Sequence, residues 1–279
     1  KDSGGSHSGK DSGGSHSGDD SGGSHSGKDS GGSHSGKSSS FDASRYARFF
    51  EHPWLNEAAR RFLFEERKID WRVVNWCRLT SWTDQKGINW LQIPYFDMDG
   101  RLIGIQNRNL DYRKTPTDFT DDTDSPSHQT EGSHQTEGSH QTEGSLRTEG
   151  SHQTEPMVPR FRFPYGARCS IYNLPVIGRL KPGEKLFITE GCSDCWAMLS
   201  AGHKAIAIPS ATLLKPEDKQ LLADIERQYQ VEFHMFPDQD APGEQLFLQL
   251  REILPHLVHH QLPPGCKDFS EYYLFKFCK

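Results

Sequence analysis

The chain has no apolar run near the roughly 20 residues that a membrane helix needs, and no segment with the order of a signal peptide. Only 33% of its 279 residues are hydrophobic, and methionine occurs four times. Cysteine occurs six times, at 77, 169, 192, 195, 266 and 278, with one C-x-x-C and no second pair to complete a zinc module or disulfide framework. These absences exclude a helical membrane span and a disulfide scaffold. They read as a reduced, cytoplasmic protein with free thiols. The first residue is Lys1 rather than Met, which reads as a fragment or a processed product with room for an upstream domain.

Two stretches also lack the apolar residues a core requires. Residues 1–40 repeat a nine-residue unit, KDSGGSHSG or DDSGGSHSG, and residues 115–156 carry the six-residue unit SHQTEG. Neither can bury enough surface to offset the entropy of ordering, so both are expected to be disordered spacers. The evenly spaced histidines of the first repeat lack the preorganised geometry of a metal site. An insertion such as 115–156 is tolerated when it leaves from a surface loop, so 41–114 and 157–279 can still pack together. The formal net charge of −6 comes from these spacers; outside them the balance is +3, all of it in 41–114, while 157–279 holds fourteen charges of each sign. A mildly basic first block is compatible with a nucleic-acid path across it.

The first block reads as α+β. Asn56 to Arg67 has helical spacing, with Ala58, Phe62, Leu63 and Phe64 placed inward. Asp70 caps a second helix through Trp71–Cys77. Trp90–Phe96 and Arg101–Leu110 are apolar strands joined by a hairpin turn at Asp99-Gly100. The second block alternates: strands at Lys185–Thr189, Lys204–Ile208 and Val231–Phe236, helices at Ser193–Ala201, Pro216–Tyr229 and Ala241–Leu254, and a fourth strand at Leu257–His260. Such alternation implies right-handed crossovers and a parallel sheet flanked by helices.

Two of these strands end in acid. Glu190-Gly191 follows the first at once, and Asp238-Gln239-Asp240 follows the third. In open parallel sheets ligands bind beyond the carboxyl ends of the strands. If the first and third strands are neighbours, their tips lie about 5 Å apart and three carboxylates enter one small volume. Like charges at that range need a cation or a shared proton, and oxygen ligands without Cys or His favour Mg²⁺ or Mn²⁺. Gly191 permits a tight strand-to-helix turn, and Asp194, one turn into the helix, is placed to support the ligands.

Glu190-Gly191-x-x-Asp194 followed by Asp238-x-Asp240 in this setting resembles the Toprim domain. The run from Ile93 to Arg108, the Pro159-Arg160-Phe161 element, Tyr172-Asn173-Leu174 and Lys267-Asp268 resemble the catalytic core of bacterial DnaG-type DNA primases. The resemblance implies a Toprim domain at 157–279 preceded by a smaller primase-like N-terminal subdomain at 41–114. It implies Glu190 as general base or metal-linked acid–base group, Asp238 and Asp240 as Mg²⁺ ligands, and Asp268 as a further ligand. It implies Arg108 and Arg160 in contact with template or nucleotide phosphates, and a two-metal phosphoryl transfer. The implied partners are a single-stranded DNA template, NTPs and a replicative helicase. The sequence departs from that family at Gln239 and Pro242, where glycine and a plain Ala-Gly step are usual, and at Ser270, where a second acid is usual. It contains neither a primase-type zinc module nor a helicase-docking domain.

Arg160, Arg162 and Arg168 alternate with Phe161, Phe163 and Tyr165. In extended chain Arg160 and Arg162 share a face, either as a solvated basic edge or as a ridge that contacts phosphates. Cys192 and Cys195 read as helix packing, His259-His260 as structural or surface residues facing opposite ways, and Trp71, Trp76, Trp82 and Trp90 as core or interface. Three functions remain: a primase-type nucleotidyltransferase, of mobile-element or phage type given the missing accessory domains; a Toprim nuclease; and a decayed nucleic-acid-binding protein.

Overall fold

A computed structural model describes residues 41–112, 158–209 and 214–278. The spacers expected at 1–40 and 115–156 lie outside the described residues, as do the block edges at 113, 114 and 157.

The first part begins with a short 3₁₀ turn, Ala43–Arg45, and helix α1, Ala47–Glu51. Asn56 then caps α2, Glu57–Arg60, accepting from the Ala59 amide, and the helix widens into a π-helical stretch, Arg61–Glu66. Ala59, not Ala58, is the buried alanine, because i+3 from it is Phe62 and i+4 is Leu63, and those two set the inward stripe. Burying each of these two large side chains contributes about 1.5–3 kcal/mol. Asp70 caps α3, Trp71–Trp76, through the Arg72 amide. Three strands follow: β1, Thr80–Thr83, β2, Asn89–Phe96, and β3, Leu102–Asn109. The turn between β2 and β3 places Gly100 at φ 80°, a conformation glycine adopts at no steric cost.

A fourth antiparallel strand, β4, Phe161–Arg162, pairs with β3 and completes the order β1-β2-β3-β4. It comes from beyond the boundary drawn at 157. The chain therefore returns to the first sheet before it enters the second. Strand β1 had no signal in the sequence, because Thr80–Thr83 has little alternation and its pairing comes from β2.

The second sheet is parallel throughout, in the order β6-β5-β7-β8, with β5 Lys185–Glu190, β6 Lys204–Ile208, β7 Glu232–Met235 and β8 Val258–His259. Helices α5, Pro216–Tyr229, and α6, Ala241–Arg251, cover one face through Leu222, Ile225, Leu246 and Leu250. Helices α4, Gly191–Ser200, and α7, Phe269–Phe277, cover the other. That second face shares one core with the first part: Phe62, Leu63, Val73 and Leu91 pack with Trp196, Met198 and Ala205. Tyr172 stitches the two parts further. It forms a backbone bridge to Ala207, stacks edge-on to Tyr95 at 5.2 Å, and accepts a hydrogen bond from Trp196 Nε1 at 3.0 Å. No helix among the described residues is long and apolar enough to cross a membrane.

Candidate active site

Strands β5 and β7 are direct neighbours, so their carboxyl ends meet. Glu190 closes β5, and Gly191, at φ 79°, turns the chain at once into α4. Beyond β7 the chain runs through Asp238 and Asp240 into α6, and Glu190 Oε1 accepts a hydrogen bond from the Asp238 amide at 3.2 Å. The two strand tips expected to meet do so. Asp240 caps α6, its Oδ1 accepting from the Gly243 amide at 3.0 Å, and its Oδ2 lies 3.6 Å from Lys267 Nζ. Asp268 caps α7 through the Glu271 amide at 2.8 Å. Asp194 is buried in the first turn of α4 and accepts from both the amide and the hydroxyl of Ser270, at 2.8 and 2.7 Å. Three helix N-termini thus converge on this edge, and their dipoles favour negative charge there.

Five carboxyl groups share the space, and burial is the main disturbance of four of them. Burial, followed by the charges of Asp194, Glu190, Asp268 and Asp240, pushes the half-buried Asp238 up to about 10. Glu190 is raised to about 7 by burial and by Asp240 and Glu244, against the pull of the Asp238 amide and Lys267. Asp194 is raised to about 7 by burial and the charge of Asp268. Asp268 is raised as well, first by burial. Such a set is short of positive charge, and its hard oxygen donors match a divalent cation such as Mg²⁺ or Mn²⁺. The match is one of chemistry: among the described residues no three His, Cys, Asp or Glu side chains converge to ligand distance.

Gly243 is a site residue missed in the reading of the sequence. A Cβ there would stand 2.5 Å from the Asp238 carbonyl oxygen and 2.7 Å from Glu190 Oε1. The first turn of α6 can approach the acids only because this position lacks a side chain. The signal available was the helix start itself, Ala241-Pro242-Gly243, which put glycine where an N-terminal turn ordinarily carries a better helix former.

The arginines divide into two groups. Arg108 and Phe161 are cross-strand partners on β3 and β4, and the Arg108 guanidinium lies 4.9 Å from the Phe62 ring and 5.7 Å from that of Phe161. Arg160, in the bend before β4, turns onto the Phe161 ring at 5.1 Å. Arg162 pairs opposite Asn107, on the other face of the sheet, where it covers Trp90 at 4.4 Å and lies 3.9 Å from Asp84. The expectation that Arg160 and Arg162 project together therefore fails: β4 is only two residues long, and Arg160 precedes it. Arg168 is exposed, and its amide donates to the Ile103 carbonyl.

Cys192 and Cys195 are buried free thiols, Cys195 held well above its usual pKa by burial, as helix packing requires. His259 and His260 do face opposite ways: His259 lies 3.3 Å from Glu244, and His260 shares a 2.8 Å hydrogen bond with His234. Of the four tryptophans expected in core or interface, only Trp90 is fully buried, whereas Trp71 is 64% and Trp82 41% exposed. Trp71 and Trp76 sit outside the inward stripe of Val73 and Val74, which leaves the core reading to Trp90.

This arrangement, an antiparallel sheet locked onto a helix-flanked parallel sheet with acids at its carboxyl edge, is the fold of primase catalytic cores. The structure of a DnaG catalytic core is 14% identical, with a TM-score of 0.51 over 84% of this chain and 73% of that one. The RNA polymerase domain of Mycobacterium tuberculosis DnaG, solved with double-stranded DNA, is 15% identical, with a TM-score of 0.51 over 85% of this chain and 74% of that one. No protein-family model and no curated protein matches the sequence.

Proposed function

We propose that this chain is a DNA primase-type nucleotidyltransferase, a DNA-directed RNA polymerase that makes short RNA primers on a single-stranded DNA template. In this reading the second sheet is a Toprim domain, and the first part is the N-terminal subdomain of a primase core. The observation that carries the reading is the meeting of Glu190 with Asp238 at adjacent strand tips, both carboxyl groups raised chiefly by burial.

Asp238 and Asp240 would hold a divalent ion, with Glu190 and Asp268 beside them. When bound, Mg²⁺ supplies charge neutralisation at the transferring phosphate and a more acidic hydroxyl nucleophile. Glu190, at the tip of β5 beside Asp238, is the group assigned as general base toward a 3′-hydroxyl. Asp194 fixes the start of α7 through Ser270 and so sets where Asp268 stands. Lys267 opposes the charge of Asp240. Arg108 and Arg160, stacked on Phe62 and Phe161, present a cationic, aromatic surface for template or NTP phosphates, and the exposed Arg168 is a further candidate for such a contact. Arg162 faces Trp90 and Asp84 and is assigned to holding the sheet. A replicative helicase is the expected partner of such a core.

The test is purified protein with single-stranded DNA, NTPs and Mg²⁺ or Mn²⁺. Short RNA products that disappear in Asp238→Ala support the proposal. Shortening of the template would instead show a nuclease. Template binding with no turnover in the wild type would show a decayed, binding-only protein.

A further inference from the structure

A cavity of about 350 Å³ lies between the end of α3, the far end of the β2–β3 hairpin and the segment from Tyr172 to Pro175, and none of the five acids lines it. Its two aromatic walls each carry a guanidinium. Arg78 lies 5.2 Å from the Phe96 ring centre, and Arg179 lies 5.6 Å from that of Trp76. Trp76 is 39% exposed, yet it is fixed: its Nε1 donates to Asn173 Oδ1 at 2.9 Å, and Asn173 is itself anchored to the Ala205 carbonyl at 2.7 Å. Phe96 sits at a register shift in the β2–β3 pairing, and such bulges re-aim side chains. The acids of the adjoining hairpin are engaged within it: Asp97 accepts from the amides of Asp99 and Arg101, and Asp99 pairs with the Arg101 side chain.

Arg78 is one of four non-glycine residues at positive φ among the described residues. It stands one residue beyond the end cap of α3 at φ 51°, with its amide on Asn75 and the Leu79 amide on Val74. This is the helix-ending motif in which glycine is the favoured residue at the left-handed position. A bulky residue held there carries backbone strain that glycine would relieve.

We propose that this cavity binds one nucleotide, its base against Trp76 or Phe96 and its phosphate on Arg78, which lines it. The volume lies near the lower end of the ~300–1,000 Å³ range of small-molecule sites, enough for a single nucleotide and too small for a paired duplex. Planar rings stack on aromatic faces, and guanidinium groups pair with phosphate in a fork geometry. Trp76 and Phe96 are already positioned, so little side-chain freedom is lost on binding. The occupant is a free nucleoside phosphate or one unpaired nucleotide of a strand, since both present the same base and phosphate.

The experiment is calorimetric titration with ATP, and separately with a short oligothymidylate, in EDTA, so that no metal-dependent binding at the acid cluster contributes. Three proteins are compared: wild type, Arg78→Gly and Asp238→Asn. Arg78→Gly removes the guanidinium while relaxing the backbone, so it should melt at or above the wild-type temperature yet bind at least tenfold more weakly. Asp238→Asn should bind as the wild type does, which separates this site from priming. Binding of ATP that Arg78→Gly weakens identifies a free nucleotide as the occupant; binding of the oligonucleotide alone that Arg78→Gly weakens identifies a strand, since binding at the template surface of Arg108 and Arg160 is the same in both proteins. The proposal is overturned if the wild type takes up neither probe, or if Arg78→Gly leaves the binding of whichever probe is taken up unchanged.

Discussion

Replacing Asp238 with asparagine should make the metal-free protein more stable while ending the proposed primer synthesis. The carboxyl at this position is raised from 3.8 to about 10 in the folded chain, by burial first and then by four neighbouring acids. Between those two values the folded state holds a proton that the unfolded state releases. Stability from this group is therefore fully present below about pH 3.8 and is lost progressively as pH rises toward about 10. Each pH unit in that window corresponds to about 1.4 kcal/mol if the whole shift acts. Solvent reaches this half-buried site, and Glu190 and Asp194 share the same field, so a realistic gain for the uncharged amide near pH 8 is about 1–3 kcal/mol. At about 2–4 °C per kcal/mol, this is a rise of roughly 2–12 °C in melting temperature. The assay is thermal unfolding in EDTA at pH 5, 6.5 and 8. The gap between variant and wild type should widen with pH, and added Mg²⁺ should raise the wild type far more than the variant. A variant that melts below the wild type, or a gap that stays constant from pH 5 to 8, would refute the reasoning.

Gly243→Ala should cost about 1–3 kcal/mol, because its methyl group would meet the Asp238 carbonyl at 2.5 Å and Glu190 at 2.7 Å; urea unfolding measures the loss, and primer synthesis should fall with it. Ser270→Ala should cost about 1–2 kcal/mol, since Asp194 is buried and would keep only the backbone amide of its two partners. The ring pair His234 and His260 is held below the usual imidazole pKa by burial. The unfolded state therefore takes up protons first as pH falls below about 6.5, and stability drops there. A His234→Phe and His260→Phe double variant should flatten that acid-side loss in a pH series of melts. Arg160→Ala should weaken binding of single-stranded DNA about equally across sequences and reduce its salt dependence, read by fluorescence anisotropy at two ionic strengths.

The elements that proved readable are those whose patterns are local. Pro216–Tyr229 carries its proline start and its apolar stripe on its own surface, and its limits agree with the sequence reading. The same holds for Lys204–Ile208 and for the Asp70 cap. The approach of Glu190 to Asp238 was also readable, because a parallel sheet fixes where strand ends lie once β5 and β7 are neighbours. What escaped depends on contacts between distant residues. Strand β1 exists through its pairing with β2, and β4 is a two-residue strand that pairs with β3 across the insertion. The tryptophans illustrate the limit from the other side: an aromatic residue on a short helix signals burial by composition, but Trp71 falls outside the stripe that faces the core.

The pairing of β3 with β4 also bears on how the site is held together. Arg108 belongs to β3, and Arg160 lies beside β4, so the cationic residues hang on a sheet whose last strand is delivered by the same segment that continues through Tyr172 into β5. Tyr172 then bridges to Ala207 on β6 and packs between Tyr95 of β2 and Trp196 of α4. Tyr95 reaches Cys192, in the helix that begins at Gly191, at 3.3 Å. Gly104 tightens the same joint, since a Cβ there would stand 2.5 Å from the Arg168 carbonyl oxygen. These contacts are buried and densely packed, and packed interiors transmit displacement rather than absorb it. The spacing between the arginines of one sheet and the acids of the other is therefore set by this aromatic joint. A truncation such as Tyr172→Ala should disturb phosphate-dependent function even though Tyr172 belongs to neither the acid cluster nor the arginine group. Its stability cost, about 3–5 kcal/mol by analogy with other buried aromatics, should accompany that loss. Tyr172→Phe keeps the ring and removes the hydroxyl, which accepts from Trp196 and also bonds the Cys77 thiol, so it should cost about 1–2 kcal/mol and retain most of the proposed primer synthesis. Equal loss of activity in the two variants would show that the hydroxyl's hydrogen bonds, and not the packed ring, hold the two sheets in register.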